Sequence, residues 1–315
     1  MWATTRVWTC GGIVAAVRVS RALPLESLRD GTATLTSLVP NDSPSAEVTG
    51  WWLDEVWDLV RHLNDMLAAD IPRRLDSLDT VSAAESGAAV VGAYPARVER
   101  GASIEPYVVF DSTAGPILVR RGSTISPFTR LVGPCYVGED SVVAGGRIAA
   151  TSIGEQCRVH GEVSMTVFLG HSNKSHDGFV GHSYLGRWTN LGASTVTSNL
   201  KNTYGAVAMW TPSGLRDTGM QFLGTMFGDH AKTAIATRLT TGSVIGAGAN
   251  VFATTMAPKV VAPFSWGGDS SRASVYAVDK FLIVAERVMS RRHVALTDRA
   301  RRWLNAAHAA RWQVG

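Results

Sequence analysis

The stretch VRRGSTISPFTRLVGPCYVGEDSVV, residues 119–143, decides the fold, because a large aliphatic residue recurs in it every six positions. The recurring residues are Val119, Ile125, Leu131, Val137 and Val143. A period of six fits neither a strand, which repeats every two residues, nor an α-helix, which repeats every 3.6. It is typical of hexapeptide-repeat β-helices, in which we expect three hexads to make one triangular coil with the aliphatic side chains pointing into a prism.

The same period extends on both sides of this stretch. The further in-phase residues are Val98, Ile104 and Phe110; Ile153, Val159 and Met165; Phe179, Leu185, Leu191 and Thr197; and Phe227, Thr233, Leu239, Ile245 and Val251. Small residues that permit tight corners often follow, as in Val137-Gly138. Chance spacing is the alternative, and the five in-phase runs argue against it. We therefore predict a mainly β chain, a left-handed parallel β-helix with a small N-terminal α/β remnant and C-terminal helices.

The flanks of the repeat predict helices and set the domain boundaries. Residues 51–68 and 276–292 carry apolar residues at helical spacing, the latter with Phe281, Val284 and Val288 on one face. Thr297-Asp298 can cap a second C-terminal helix over 299–311. The predicted domains are a small mixed α/β domain over 1–93, the β-helix over 94–265 and a helical tail over 266–315.

Composition excludes several classes of protein. The 315 residues are 45% hydrophobic and 18% charged, which excludes a disordered chain. No apolar run approaches the ~20 residues of a membrane span. Three scattered cysteines favour a reduced, cytoplasmic compartment. Residues 1–21 are interpreted as a turn and a strand rather than a signal peptide, because arginines follow the short apolar run.

The net charge of +4 comes from the C-terminal tail. Residues 271–315 hold nine Lys and Arg against three acidic residues, so the rest of the chain is slightly acidic. We therefore expect neither a nucleic-acid nor a membrane partner, and a polyanion ligand remains a question for the tail helices alone.

The chemistry is expected where polar residues interrupt the repeat, above all in residues 168–205. That segment holds His171, His176, His182, Lys174, Asp177, Asn190, Asn199 and Lys201. Attack of an amine or hydroxyl on a thioester needs a general base, and histidine serves near neutral pH. We predict His176 as that base, with Asn190 and Asn199 holding the substrate.

Each of these residues also has a structural interpretation. A single histidine can be a packing residue, and asparagines in solenoids often form ladders or occupy left-handed corners. The three histidines are spaced five and six residues apart on different faces, so we predict no metal site. His230, in the string GDHAKT, is interpreted either as a corner residue or as part of a cofactor groove.

Residues 98–255 resemble the left-handed β-helix acyltransferases. The strings HDGFVG, residues 176–181, and NLGASTVTSN, residues 190–199, resemble the acetyltransferase half of the bifunctional glucosamine-1-phosphate acetyltransferase/N-acetylglucosamine-1-phosphate uridyltransferase family. The strings GDHAKTAI, PKVV and FSWGG look like its branch of sugar nucleotidyltransferase-like proteins. The resemblance implies a cytoplasmic homotrimer that acts in UDP-N-acetylglucosamine-type sugar nucleotide biosynthesis.

The resemblance also implies roles for particular residues. His176 would be the catalytic base. The substrate-binding residues would be Lys174, Phe179, Asn190, Asn199 and Lys201, and the residues near acetyl-CoA would be Ala193, His230, Lys232 and Ile235. Phe179 stands where the family has a tyrosine, Ser194 replaces a glycine, and the family's phosphate-binding arginine and lysine have no clear counterpart, with Arg130 and Arg147 as guesses.

Residues 1–90 resemble only the tail of the family's nucleotide-binding domain, and Cys10-Gly11-Gly12 lacks the basic residue of its phosphate-binding loop. We therefore expect no uridyltransferase site. The expected function is transfer of an acetyl or other acyl group from CoA to an amino-sugar phosphate or sugar nucleotide. The alternatives are a non-catalytic trimeric scaffold and a residual nucleotidyltransferase.

Overall fold

The computed structural model describes residues 6–19, 22–29, 31–39, 43–268 and 274–312. The chain divides into two compact units, 1–54 and 55–315. The predicted boundaries at 93 and 265 remain predictions. The interpretation of residues 1–21 as a turn and strand without a signal peptide lies partly outside the described residues.

The first unit contains a three-stranded sheet. Its strands are Val7–Cys10, Ile13–Val17 and Ser45–Glu47, with the first strand in the middle. A short helix, α1 (Leu25–Arg29), and the 3₁₀ turn Thr36–Leu38 lie between the second and third strands. Gly11 and Gly12 have φ of +58° and +77°, which glycine adopts freely, and they form the predicted turn between the antiparallel strands.

The second unit is a parallel β-solenoid of about ten turns, which confirms the predicted fold class. We name its three faces A, B and C in the order in which the chain visits them in each coil. The face A strands are Thr80–Ser82, Ala96–Glu99, Ile117–Val119, Cys135–Val137, Ser152–Ile153, Val167–Phe168, Tyr184–Leu185, Thr225–Phe227, Ser243–Ile245 and Val260–Val261.

Faces B and C are built from shorter strands. Those of face B are Ser103–Ile104, Thr124–Ile125, Asn173–Lys174, Asn190–Leu191, Lys232–Thr233, Asn250–Val251, Ser265–Trp266 and the antiparallel Ser274–Val275. Those of face C are Ala89–Val91, Val109–Asp111, Thr129–Val132, Phe179–Gly181, Val196–Thr197 and Arg238–Leu239. Two longer strands, Val142–Ala149 and Arg158–Ser164, begin on face B and end on face C.

The apolar core fills the prism, and the six-residue period identifies most of it. Of the in-phase residues, those in the buried core are Val98, Phe110, Val119, Ile125, Leu131, Val137, Val143, Ile153, Val159, Leu185, Leu191, Phe227, Leu239, Ile245 and Val251. Ile104 is partly buried against the same cluster. Each coil buries its inner face against its neighbours, so the core is continuous along the axis.

Two of the in-phase residues were assigned wrongly. Met165 and Phe179 do not enter the prism, and the inward residues of their coils are Val163 and Val180. Two shortened corners are the cause, because the inward residues Val159 and Val163 are only four positions apart, and Val180 and Leu185 only five. A strict count of six therefore places the later residues out of phase, and Met165 instead packs outside the prism against the helix that covers face A.

Two helices cover face A, and they begin later than predicted. Helix α2 (Asp58–Arg61) and helix α3 (Leu63–Leu75) replace the single helix predicted over 51–68. The apolar stripe continues beyond residue 68, since Ile71 of α3 is buried with Leu118 of face A. Burial of that stripe stabilises the helix more than local propensity does, so the helical region shifts toward the C-terminus.

A long insertion, residues 198–224, interrupts the solenoid between two coils. It forms a hairpin from strands Ala208–Thr211 and Gly214–Asp217. Its residues Val207, Met209 and Leu223 are buried with Trp57 beside α2 and with Met226 of face A. The insertion is therefore anchored on the outside of the prism.

Two C-terminal helices pack at the edge between faces A and B. Helix α4 (Val278–Ser290) buries Phe281 against Phe264, and helix α5 (Asp298–Ala309) packs on α4. Both helices confirm the sequence-based prediction, although Val284 and Val288 are only half-buried and Leu282 is buried in their place. Thr297 is the N-cap of α5, since its hydroxyl accepts from Ala300 N at 3.2 Å.

Replacing Thr297 with alanine is expected to destabilise α5 by about 1 kcal/mol, because a backbone donor in the first turn loses its acceptor. The measurement is hydrogen–deuterium exchange of the amides at 299–302. Thr297→Ser keeps the hydroxyl and is the control. Equal protection of these amides in Thr297→Ala and the native chain would contradict the prediction.

Face C differs from face A in what packs on it. Among residues 55–268 and 274–312, no apolar cluster formed by the helices or the hairpin includes an outward residue of face C, and the same holds for face B. Its outward row runs Val109, Arg130, Arg147, Glu162 and Phe179 through successive coils. Its outward side chains Arg130, Arg147 and Glu162 are exposed, and its two edges carry the residues considered next.

Candidate functional site

His182 lies at the edge where the chain passes from face C to face A. Its Nδ1 lies 2.9 Å from Nδ2 of Asn199, which is one coil further along the chain. The imidazole also stacks on Phe222 of the insertion, with ring centroids 5.3 Å apart and 25° between the planes. An amide and an aromatic ring therefore hold His182 in a defined orientation.

The ring of Phe179 lies on the same edge. A Cβ at Gly181 would clash with this ring and would lie 2.9 Å from Asn199 Nδ2. The lack of a side chain at residue 181 therefore makes room for Phe179 and Asn199 beside His182. We call Phe179, His182, Asn199 and Phe222 the His182 cluster.

The His182 imidazole is neutral near pH 7. Burial lowers the pKa of His182 from 6.5 to about 4, and no charged group contributes to the shift. When Asn199 Nδ2 donates to Nδ1, the ring proton is on Nε2. A half-turn of the Asn199 amide would instead let its oxygen accept from Nδ1–H and leave a lone pair on Nε2.

We expect an NMR titration of the imidazole signals to give a midpoint for His182 near pH 4. Because this pKa is lower in the folded than in the unfolded chain, His182 should destabilise the fold as the pH falls from about 6.5 toward 4. Asn199→Ala leaves the histidine in place and is the control for peak assignment. A midpoint at or above 6.5 would contradict the burial described here.

His176, the predicted base, lies at the other edge of face C, where the chain arrives from face B. Its side chain is exposed in the single chain, and within the described residues its imidazole has no hydrogen-bond partner. The structure places it on a different edge from Asn199. The two groups predicted to act together are therefore separated by the strand Phe179–Gly181.

Lys174 is corrected from a substrate-binding residue to a core residue. Its side chain points into the prism between Val159 and Leu191, and the residue is only 2% exposed. Nζ donates to the carbonyl oxygens of His176 and of Asp177, the latter at 2.9 Å. Burial lowers the pKa of Lys174 to about 8. A substrate cannot reach an ammonium in this position.

Asn190 fits the structural interpretation, in which solenoid asparagines form a ladder, rather than the predicted place in a substrate site. It points outward from face B, and its Oδ1 accepts from Asn173 Nδ2 at 3.3 Å. Arg292, just after α4, donates in turn to Asn173 Oδ1 at 2.9 Å. Asn190 therefore belongs to an asparagine ladder, and only Asn199 of the two predicted asparagines lies beside a histidine.

Lys201 lies in the insertion, two residues after Asn199. Its Nζ donates to Ala206 O at 2.8 Å, which folds the loop back on itself. It also lies near Lys259, because the charge of Lys201 adds to burial in lowering the pKa of Lys259. Its predicted role in substrate binding stays a prediction.

Ala193 and Ile235 lie at the same edge as His176. Strand pairing places four residues at equivalent positions in four successive coils: His176, Ala193, Ile235 and Ala253. Gly192 packs so closely on the backbone of the next coil that a Cβ would clash with it. Two of these four side chains are alanines, and we call the edge between faces B and C the B–C edge.

A cavity of about 420 Å³ opens at the C-terminal end of the B–C edge. Its lining includes Ala234, Phe252, Ala253, Trp266, Gly268 and Ser274. Phe252 and Trp266 meet edge to face, with centroids 5.6 Å apart. The cavity is mainly apolar and can take an uncharged chain or a ring.

His230 and Lys232, predicted near the cofactor, lie elsewhere. His230 lies at the edge between faces A and B and is only 5% exposed. Its ring stacks on Trp188, which in turn contacts His171, and it meets Phe281 of α4 edge to face. This is the corner interpretation, and it removes His230 from the predicted groove. Lys232 points outward from face B and donates to His230 O at 3.0 Å.

The Gly11-Gly12 turn of the first unit binds a carboxylate from its own chain. Gly11 N donates to Glu47 Oε1 at 2.6 Å, and the hydroxyl of Thr9 donates to the other oxygen. The Thr9 hydrogen bond lowers the pKa of Glu47. Glu47 thus takes the place beside the turn that a phosphate would need.

No three His, Cys, Asp or Glu side chains of the described residues gather in a way that could hold a metal ion. None of the helices in the described ranges has the length and hydropathy needed to cross a bilayer.

Sequence reasoning missed the importance of His182, Phe222, Phe252 and Trp266. A signal for His182 was available, because His182 and Asn199 are separated by 17 residues, which is close to the 18 residues of three hexads. Residues one coil apart are neighbours on the same edge. No comparable signal existed for Phe222, whose position depends on how the insertion folds.

The fold places the chain among the parallel β-helix proteins. It aligns with AntD, an N-acyltransferase from Bacillus cereus in complex with dTDP and 3-hydroxybutyryl-CoA, at 12% identity over 69% of this chain and 99% of that chain, with a TM-score of 0.23. A point mutant of AntD in complex with dTDP and coenzyme A aligns at 11% identity over 68% of this chain and 98% of that chain, with a TM-score of 0.25. Similarity this low carries no argument about function. No protein-family model and no curated protein matches the chain.

Proposed function

We propose that this protein is a CoA-dependent acyltransferase that moves an acyl group, such as acetyl, to the amine of an amino-sugar phosphate or sugar nucleotide. The observation that carries the proposal is the His182 cluster, in which a neutral imidazole is oriented by Asn199 and Phe222. It replaces His176 as the proposed base, since the His176 imidazole is exposed and unoriented in the single chain.

The reaction needs one proton acceptor and one fixed thioester. The amine attacks the thioester carbonyl, and Nε2 of His182 takes a proton from the nitrogen. For this step Asn199 must present its oxygen to Nδ1–H, so that Nε2 has a free lone pair. The carbon–sulfur bond then breaks, and the imidazolium returns its proton to the leaving thiolate.

The B–C edge is the proposed donor site. Its small side chains Ala193 and Ala253 let an extended chain lie close to the backbone, and the cavity beside Phe252 and Trp266 gives that chain an apolar end point. Ala193 and Ile235 keep their predicted place near the cofactor, and Phe179 and Asn199 keep theirs near the substrate.

The two proposed half-sites lie on opposite edges of face C, so a single chain does not bring them together. A homotrimer with face C turned inward would set the His182 cluster of one subunit against the B–C edge of the next. The exposed outward side chains of face C, among them Arg130, Arg147 and Glu162, support this arrangement. The predicted homotrimer thus becomes a requirement of the proposed mechanism.

The test is complementation between two inactive variants. Ala253→Trp should block the donor cavity and His182→Gln should remove the base, so each variant alone should release almost no CoA thiol from acetyl-CoA and an amino-sugar acceptor. Co-assembled at equal ratio, they should recover about a quarter of native turnover, the fraction of interfaces that random assembly completes. Separately assembled trimers that are mixed afterwards are the control.

No recovery after co-assembly would overturn the shared site. No thiol release by the native protein with any amino-sugar phosphate or sugar nucleotide, together with no acetyl-CoA binding by calorimetry, would overturn the acyltransferase and favour the scaffold alternative.

A further inference from the structure

One charged side chain lies inside the prism. On face B the inward row of successive coils is Ile104, Ile125, Val143, Val159, Lys174, Leu191, Thr233 and Val251. Lys174 is 2% exposed, and within the described residues no carboxylate forms an ion pair with its ammonium. The charge of Asp177 still acts on this ammonium from beyond ion-pair distance. A buried charge is nevertheless costly unless polar groups surround it, so its position needs a structural reason.

The reason lies in the lengths of the corners between faces B and C. Inward residues are five positions apart from Val143 to Ile148 and four apart from Val159 to Val163, but six apart from Lys174 to Val180. The corner 175–178 therefore follows two shortened corners and projects beyond them. We call residues 175–178 the overhanging corner.

The overhang leaves backbone carbonyls without the usual partners. Within the described residues, no backbone N–H donates to the carbonyl of His176 or Asp177. Lys174 Nζ donates to both of them. Hydrogen bonds from a charged donor are stronger than neutral ones, and an unsatisfied buried carbonyl is unfavourable. The ammonium thus takes the place of the backbone donors that these two carbonyls lack within the described ranges.

Two further contacts fix the same corner. Below it, Gly161 has φ of +93°, and a Cβ there would lie 3.1 Å from Lys174 Nζ and 3.2 Å from Asp177 Cα. Above it, the exposed Ser194 donates to Asp177 Oδ2 at 2.9 Å. The overhanging corner is therefore held from inside by Lys174, permitted by Gly161 and tied outside by Ser194.

The overhanging corner leads directly into the proposed site. Strand Phe179–Gly181 begins immediately after it, and His182 follows that strand. Any shift of the corner changes where Phe179 and His182 stand relative to Asn199, which belongs to the next coil. In enzyme active sites, a displacement of the reacting groups by about 1 Å can lower turnover on the order of a hundredfold.

We propose that Lys174 is a positioning residue, whose ammonium holds the overhanging corner from inside the prism and thereby sets the place of Phe179 and His182. The proposal rests on the proposed acyl transfer for its effect on turnover. Its effect on the corner itself is independent of any activity.

The test is Lys174→Met in the full-length chain, because methionine is similarly long and unbranched but donates no hydrogen bond. We expect amides 176–181 to exchange with deuterium about tenfold faster or more. We also expect kcat for acyl transfer to fall about tenfold or more, with a smaller change in the KM of the acyl donor, because the cavity that ends the proposed donor site lies three coils further along the chain. Leu191→Met changes the neighbouring inward residue of the same row and is the matched control.

Faster exchange and lower kcat in Lys174→Met, with neither in Leu191→Met, support the proposal. Unchanged exchange at 176–181 in Lys174→Met overturns it, as does an equal effect of Leu191→Met. If Lys174→Met does not fold, Ser194→Ala loosens the same corner from the solvent side, and unchanged exchange there overturns the proposal.

The two readouts distinguish failure of the proposed function from failure of the proposed role of Lys174. A native protein without acyl transfer removes the kcat readout only, and the exchange comparison of Lys174→Met with Leu191→Met still decides whether Lys174 holds the corner.

Discussion

Acyl transfer by the His182→Gln variant is expected to fall ~10²–10⁴-fold in kcat, the range that a positioned general base contributes. Glutamine keeps an amide near Asn199 and fills much of the imidazole volume, so the fold and the donor site should persist. It does not accept a proton near neutral pH. The measurement is initial-rate release of CoA thiol, with acetyl-CoA affinity measured separately by calorimetry.

The matched control is His176→Gln, which makes the same change at the other edge of face C. The His176 side chain is exposed in the single chain, and we expect a much smaller effect on kcat. The pair decides between the two histidines. If His176→Gln is inactive and His182→Gln is active, the sequence-based assignment of His176 is right and the structure-based one is wrong.

The second large effect is expected on stability, from Arg120→Met. Arg120 is 5% exposed, and its guanidinium contacts Glu99 at 2.5 Å, Glu139 at 2.6 Å and the Tyr136 hydroxyl at 3.2 Å. Removing it leaves the Glu99 carboxylate buried beside an apolar side chain. Breaking a buried pair in this way costs about 3–5 kcal/mol. The measurement is the free energy of unfolding in urea at pH 7.

Arg121→Met is the matched control, because its neighbouring guanidinium is 62% exposed and its ion pairs are largely solvated. We expect a loss within about 1 kcal/mol for it. The double variant Arg120→Met with Glu99→Leu should be more stable than Arg120→Met alone, since it also removes the buried carboxylate whose remaining cation is the exposed Arg121 at 3.9 Å. Equal losses for Arg120→Met and Arg121→Met would contradict the role of burial.

The prism was predictable because its signal is repeated. Each coil needs an inward aliphatic side chain at the same place, so Val119, Ile125 and Leu131 report the same requirement several times over. The cap Thr297 was predictable for a local reason, since capping depends on residues within one turn. Both predictions use interactions between residues that are close in sequence or related by a constant spacing.

The site was less predictable because it depends on departures from that spacing. The four-residue corner after Val159 moves Met165 out of the prism, and the five-residue step from Val180 to Leu185 does the same for Phe179. A count of six shows neither. Lysine is a residue type that is rarely buried, yet Lys174 points into the prism beneath the overhanging corner. The partner of His182 on the insertion, Phe222, is placed by tertiary packing that no local pattern encodes.

The insertion has a consequence for how this protein could change over evolution. Strand Tyr184–Leu185 pairs directly with strand Thr225–Phe227, so the coils stack as if residues 198–224 were a loop attached to their side. Doubling the length of such a loop costs only about 0.6 kcal/mol in closure entropy. Phe222 stands on that loop, whereas His182 stands on the scaffold. If the proposed acyl transfer holds, acceptor preference can therefore diversify by exchange of this one segment, while His182 and the stacked coils are inherited unchanged.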